Sequence, residues 1–376
     1  MKYNLYFFII VYFLIAVIPS HGMEQKNKLD LNSAQEVTGV KNARKIRYTR
    51  NHGIAVSSYN ECRLINPKTK ESRCIDYEMD FCRSKKTLAL ESIDNKIILL
   101  NGRGIMTYDM QARAKGWSEE RRDIRSISIN AANNTIFACY AKYKHSGRDG
   151  IAIYNYILDK FTTISMPDKA CALVATHPTK DIICIAHYLS EISLCKLDNL
   201  SENNLPQAIK KIETIFLVPF KQTSFCQYNP DGSYLVAGND EVISIIEPQA
   251  MGSDLTSPQG ERFKGIAFHP NGLVLATLSD RSVSSLQSVG VVHYWDLKTR
   301  QIFYSTPELP FGKAHDLSFS NDGLEIAVAL EDKCIRTLVP FAVKEKCSYF
   351  FLVLQRKLPK CLAKHCIDIF LQNLCF

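Results

Sequence analysis

The side chains able to do chemistry are scattered along this chain and do not gather into a catalytic signature. No Gly-x-Ser-x-Gly elbow, phosphate-binding glycine loop or His-Glu-x-x-His pair occurs, so the best-marked hydrolase, nucleotide and zinc-protease arrangements are missing. Cys361, His365 and Cys366 come nearest to a metal cluster, but their spacing fits no zinc pattern and no fourth ligand accompanies them. His177 and His269 each precede the proline of a turn, a recurring position unsuited to a unique general base. Asp231, Asp280 and Asp322 fall on loops. Asp231 and Asp322 hold the same place in two turns, where turn chemistry already accounts for an aspartate. The expectation is no catalytic residue, no metal and no cofactor. A hydrolase or lactonase with acids converging on a channel is the competing reading.

There are 13 cysteines. Most stand singly in apolar runs, as Cys139, Cys184, Cys195 and Cys226 do, where a thiol behaves as a small buried hydrophobe. Two pairs differ. Cys62 and Cys74 lie symmetrically about Pro67-Lys68-Thr69, and Cys334 and Cys347 about Pro340-Phe341. Each pair would face across an outer hairpin, so these four are candidate disulfide partners. The formal charge is +8, with basic clusters at Lys41, Arg44, Lys45, Arg47 and Arg50 and at Arg121, Arg122 and Arg125. Glu119 and Glu120 partly offset the second cluster. An acidic protein or membrane surface is the partner such patches attract.

The elements that must carry these residues follow from a repeat. Its clearest copy runs Phe268-His269-Pro270-Asn271-Gly272, then the apolar stretch Leu273 to Leu278, then Ser279-Asp280. A second apolar stretch closes on Tyr294-Trp295-Asp296-Leu297-Lys298-Thr299. Pro presets φ, while Asn and Gly tolerate positive φ, so the opening is a tight turn. The runs between turns are strand-length and bounded by turn residues. The opening turn recurs at Asn229-Pro230-Asp231-Gly232 and Ser320-Asn321-Asp322-Gly323. The place of Asp296 recurs at Asn66, Asp109, Asn155, Lys196, Glu247 and Val339, at separations of 41 to 51 residues. Seven units result. Strand and turn repeated at this period predict an all-β, seven-bladed propeller of four-stranded antiparallel blades over residues 43–355. Ile182 to Ala186 and Tyr234 to Ala237 lack polar alternation, as strands covered on both faces do.

These residues resemble the WD40-repeat β-propellers. Trp295-Asp296 matches the dipeptide that names the repeat, and Phe268-His269-Pro270-Asn271-Gly272 matches its preceding strand and turn. The resemblance spans roughly residues 43 to 347, with the signature carried well only in the sixth unit and the usual Gly-His pair placed in none. It implies an Asp-His-Ser/Thr-Trp hydrogen-bond network in that unit and a non-catalytic platform for protein or peptide binding. A TolB-like or other divergent propeller shares the Pro-Asp-Gly turn and is an alternative.

The two ends read differently. Lys2, the uncharged stretch Leu5 to Ile18 and Pro19-Ser20-His21-Gly22 form a secretory signal peptide over residues 1–22. That apolar stretch is shorter than the roughly 20 residues of a spanning helix. Residues 23–42 read as a loose polar arm, and Ser348 to Leu354 as the outer strand of the seventh blade. In residues 356–376, Leu362, Cys366, Ile369, Phe370 and Leu374 follow helical spacing, with Pro359 in the first turn. That helix would cap the propeller. Its opening, Leu358-Pro359-x-x-Leu362, also has a loose similarity to F-box motifs, which would make the protein a substrate adaptor for a ubiquitin ligase. The loop between Ile246 and Phe263, with Met251-Gly252-Ser253-Asp254, and an insertion from Arg281 to Gly290 depart most from the repeat. The expected product is a monomeric scaffold, periplasmic or secreted, for a protein or peptide partner. Export argues against nucleic acid.

Overall fold

Short β-branched runs punctuated by Asn, Asp, Gly and Pro leave this chain little choice but strands and turns. The computed structural model describes residues 35–37 and the strands and many of the turns between 43 and 339. Every helix-or-strand element among the described residues is a strand. The strands pair into seven four-stranded antiparallel sheets. Sheets 1 to 6 each take four consecutive strands, within residues 45–75, 87–118, 122–165, 171–216, 225–256 and 261–305. All of them lie in one compact unit, Asn32–Glu345. The other, Met1–Leu31 with Lys346–Phe376, falls outside the described residues. The segments expected to form a signal peptide, an outer strand from Ser348 to Leu354 and a C-terminal helix fall there too.

Sheet 7 is assembled from both ends of the unit. Ala314–Phe319, Glu325–Leu330 and Cys334–Leu338 supply three strands, and Gln35–Val37 supplies the fourth. Gln35 pairs with Arg336, Glu36 with Ile335 and Val37 with Cys334. This corrects the reading of residues 23–42 as a loose arm throughout. The edge of Cys334–Leu338 presents unpaired N–H and C=O groups, and the N-terminal strand satisfies them.

The first strand of each sheet lies innermost, and first strands of neighbouring sheets pack on one another at every junction except that of sheets 5 and 6, an arrangement that makes a β-propeller. Apolar layers fill the spaces between sheets. Ile183 and Ile185 join Phe137, Cys139 and Ile151 of sheet 3, whereas Cys184 and Ala186 on the same strand join Leu235 and Ala237 of sheet 5. Successive side chains leave opposite faces of a strand, and both faces here are covered. That is why the run Ile182–His187 is apolar without alternation. Sheets 5 and 6 meet through Val236, Ile243, Phe263, Leu275 and Trp295. Sheets 7 and 1 meet through Ala327, Ala329, Ile46 and Val56.

Two segments expected as irregular are strands. Ala250–Thr256, which contains Met251-Gly252-Ser253-Asp254, is the outer strand of sheet 5 and pairs with Val242–Glu247. The Arg281 to Gly290 insertion is a lengthened hairpin in which Arg281 pairs with Val289 and Ser282 with Ser288. Backbone pairing thus continues as far as Ser282 and Ser288, and residues 284–287 lie outside the described residues. No helix among the described residues is long and apolar enough to cross a membrane.

Candidate binding channel

The inner strands share a defect that sets what they display. In sheets 2, 3, 4, 6 and 7 the ladder slips by one residue at the same place, leaving Leu88, Arg125, Ala172, Lys264 and His315 as the extra residues. Each stands five residues before the turn-opening position, which is held by Ile93, Asn130, His177, His269 and Ser320. Arg44 and Ser224 occupy the same step before Thr49 and Asn229 in sheets 1 and 5. A bulge takes its residue out of the regular ladder and re-aims the side chain. Repeated round the ring, it sets a level of Arg125, Lys264, His315 and Arg44 at one end of the inner strands.

A cavity of about 1100 Å³ runs between these strands. Its charged residues, Lys45, Arg47, Arg125, Lys264, Asp240, Glu241 and Asp316, cluster toward the bulge level. The opposite end is lined by Tyr228, Asn229, Pro230 and Pro178. Two of the acids are already engaged. Asp316 Oδ2 accepts from Arg47 Nη1 at 2.6 Å and from Ile46 N at 3.1 Å, and Asp240 lies 3.7 Å from Arg262. Among the described residues Lys45 and Lys264 have no ion-pair partner within 4.0 Å. His315 stacks its burial on a positive field. Burial first, then Arg44, Lys45 and Lys313, push its pKa down to about 4. Arg44 Nη1 donates to that ring at 3.0 Å from Nε2. The mouth is therefore cationic, and it suits an anionic group.

The sequence had grouped Arg44, Lys45 and Arg47 apart from Arg125. The fold brings Lys45, Arg47 and Arg125 to one cavity. Lys264 was missed, because its bulge position carries no residue-type signal. Lys41, Arg50 and Arg121 lie outside the described residues.

Polar side chains on inner strands tie one sheet to the next. Ser126 Oγ accepts from Val174 N at 3.4 Å and Ser128 Oγ from Thr176 N at 2.9 Å, across sheets 3 and 4. Asp316 and Ser318 do the same for Ile46 N and Tyr48 N across sheets 7 and 1. The turns supply a second set. His269 Nδ1 accepts from Asn271 N at 3.2 Å, so its Nε2–H donates to Gly323 O of the next sheet at 3.2 Å. His177 Nδ1 accepts from Thr179 N and Lys180 N, and the ring bonds the Gly232 backbone. Asn229 Nδ2 donates to Gly272 O at 3.1 Å. The two histidines are thus inter-sheet latches.

The remaining predicted residues fall into structural roles. Asp231 Oδ1 accepts from Ser233 N, and Asp322 Oδ1 accepts from Ser320 Oγ and Leu324 N. The hydrogen bonds from Ser233 hold the Asp231 carboxyl below the usual range. Asp296 Oδ1 accepts from Lys298 N and Thr299 N, closing the turn after its strand. Phe268 is buried and Pro270 exposed. Trp295 Nε1 donates to Thr277 Oγ1 at 2.9 Å, one link of the network expected in the sixth unit. A separate buried relay lies nearby. His293 Nε2 is 2.6 Å from Glu261 Oε2, and Nδ1 is 2.7 Å from Ser305 Oγ.

The proposed disulfide pairs do not fit the ladders. Cys62 pairs with Ile75 and Cys74 with Arg63, so the two cysteines leave opposite faces of sheet 1. Cys334 has Gln35–Val37 as its outer neighbour, in place of a strand bearing Cys347, which lies outside the described residues. Cys361, His365 and Cys366 lie outside them as well. Among the described residues no three His, Cys, Asp or Glu side chains are arranged to hold a metal. No protein-family model matches the chain. No curated protein matches it either.

Proposed function

We propose that this protein is an exported, non-catalytic, seven-bladed WD40-like scaffold that binds an acidic segment of a partner protein at the cationic mouth of its channel. The observation that carries this is the placing of Lys45 and Lys264, neither with an ion-pair partner within 4.0 Å among the described residues, at one end of an open cavity. Fold alone does not fix function, so the charge pattern bears the weight. The Trp295–Thr277 bond supports the WD40-like assignment. The signal-like residues 1–22 support export, with a soluble monomer as the product. The engagement of Asp231, Asp322, His177 and His269 in turns and latches supports a non-catalytic role.

Anisotropy with a labelled oligoglutamate peptide tests the binding. Wild type is expected to bind it in a salt-dependent manner and to ignore a neutral peptide of equal length. K45E/K264E should weaken binding by about tenfold or more. Unchanged affinity in that variant sinks the reading. N-terminal sequencing of the exported protein should begin after Gly22; an intact Met1 removes the export claim.

One observation favours a second reading, a propeller hydrolase: Ser305, exposed, sits on the His293–Glu261 relay. Against it, Ser305 is a strand residue paired directly with His293, and the following N–H, of Thr306, is spent on Val292 O. A nucleophile needs free donors for the oxyanion. A fluorophosphonate probe should leave Ser305 unlabelled, and labelling there would favour the hydrolase.

A further inference from the structure

The fold brings together thiols that the sequence does not pair. Cys184 lies on the second strand of sheet 4 and Cys226 on the inner strand of sheet 5, 42 positions apart, yet their sulfurs are 3.4 Å from each other. A modest approach of the two side chains would bring them to bonding distance. Their exposures differ in a useful way. Cys226 is part-exposed and lines the channel, whereas Cys184 behind it is fully buried.

We propose that Cys184 and Cys226 form a reversible disulfide between sheets 4 and 5, made by a small disulfide oxidant that enters through the channel. The Cys226 thiolate attacks the oxidant, giving a mixed disulfide at Cys226 and releasing one thiolate. Cys184 then loses its proton and attacks the Cys226 sulfur, displacing the second. Two protein thiols become one S–S bond, and the oxidant is reduced to two thiols. Burial raises the Cys184 pKa well above that of an ordinary thiol, so the second step is the slow one.

The location gives the bond a purpose. Sheets 3 and 4 are joined through Ser126 and Ser128, and sheets 7 and 1 through Asp316 and Ser318. At the matching positions of sheet 4 stand Leu173 and Ala175, which cannot accept a hydrogen bond from the next strand. A covalent link at Cys184 and Cys226 reinforces an interface that lacks this tie. A built-in contrast lies one interface earlier. Cys139 and Cys171 are hydrogen-bonded to each other, and both are fully buried. With no opening to the channel, that pair stays reduced while the protein is folded.

The test uses the full chain equilibrated with mixtures of reduced and oxidised glutathione, then alkylated and mapped by mass spectrometry. A linked Cys184–Cys226 peptide should accumulate as the mixture becomes oxidising, and reductant should reverse it. The melting temperature should rise by several degrees in parallel. In C184A the mixed disulfide should persist on Cys226 without the rise in melting temperature. Glutathione persisting on wild-type Cys226, no modification of either residue, or equally fast linkage of Cys139 to Cys171 would each overturn the proposal. Should C184A fail to fold, the wild-type map and the C226A protein, which must show neither adduct nor link at Cys184, still decide it.

Discussion

Gly323 is held at φ +72°, and a Cβ built there would lie 2.2 Å from His269 Nε2. Gly260 has a similar φ, +80°, with nothing within 4 Å of its would-be Cβ. The two therefore separate backbone strain from collision. Gly260→Ala should cost about 1 kcal/mol, the price of a left-handed L-residue. Gly323→Ala adds displacement of the latch ring and should cost about 3 kcal/mol, near the upper range for strained backbone. Urea unfolding of both variants measures the difference, and equal losses would refute the latch. His315 gives a pH prediction. Its folded pKa, about 4, lies below the ordinary 6.5, so the unfolded chain binds a proton more readily. The stability it contributes is complete above about pH 7 and is lost as pH falls from about 6.5 toward 4. Asp280, raised by burial, titrates in the opposite sense. Comparing wild type with His315→Gln isolates the histidine; identical slopes of melting temperature against pH would contradict this account.

At the scale of elements, the outer strand of sheet 7 invites deletion. A chain starting at residue 43 loses the pairing of Gln35–Val37 with Cys334–Arg336 and exposes a bare sheet edge. It should melt at a lower temperature and self-associate, which sedimentation would detect. An unchanged monomer would show the strand to be dispensable. The elements were legible where a local rule dictates them. The Pro-Asn-Gly and Pro-Asp-Gly turns demand positive φ at Gly272 and Gly232, and the structure has +74° and +77° there. The third-strand markers behave likewise, since Asp109, Asn155, Glu247 and Asp296 each end a strand. Register was not legible. Symmetry of Cys62 and Cys74 about a turn is off by one residue in the ladder, and one residue reverses the face. Nor were the bulges, since Leu88, Arg125, Ala172, Lys264 and His315 share no residue type. The lengthened strands Val274–Ser282 and Ser288–Asp296 looked like an insertion because polar residues sit at their paired ends.

For the molecule as a whole, the channel has a direction. Cations crowd one mouth, and proline, tyrosine and asparagine line the other. No single stretch of sequence encodes this. It arises because residues from separate copies of the repeat are brought to one level round an axis, which is why Lys264 escaped notice while Arg44 to Arg47 did not. The Gln35–Val37 strand has a consequence in time. Its partner stands some three hundred positions later, near the end of the ring. Contacts so remote in sequence form slowly, and this one waits for all the others. A chain still emerging from the ribosome would hold the first clasp ready with nothing to fasten it to. Until synthesis passes Arg336, an open arc of sheets is the best it can do, and a chaperone guarding the bare rims is the company such an arc would need.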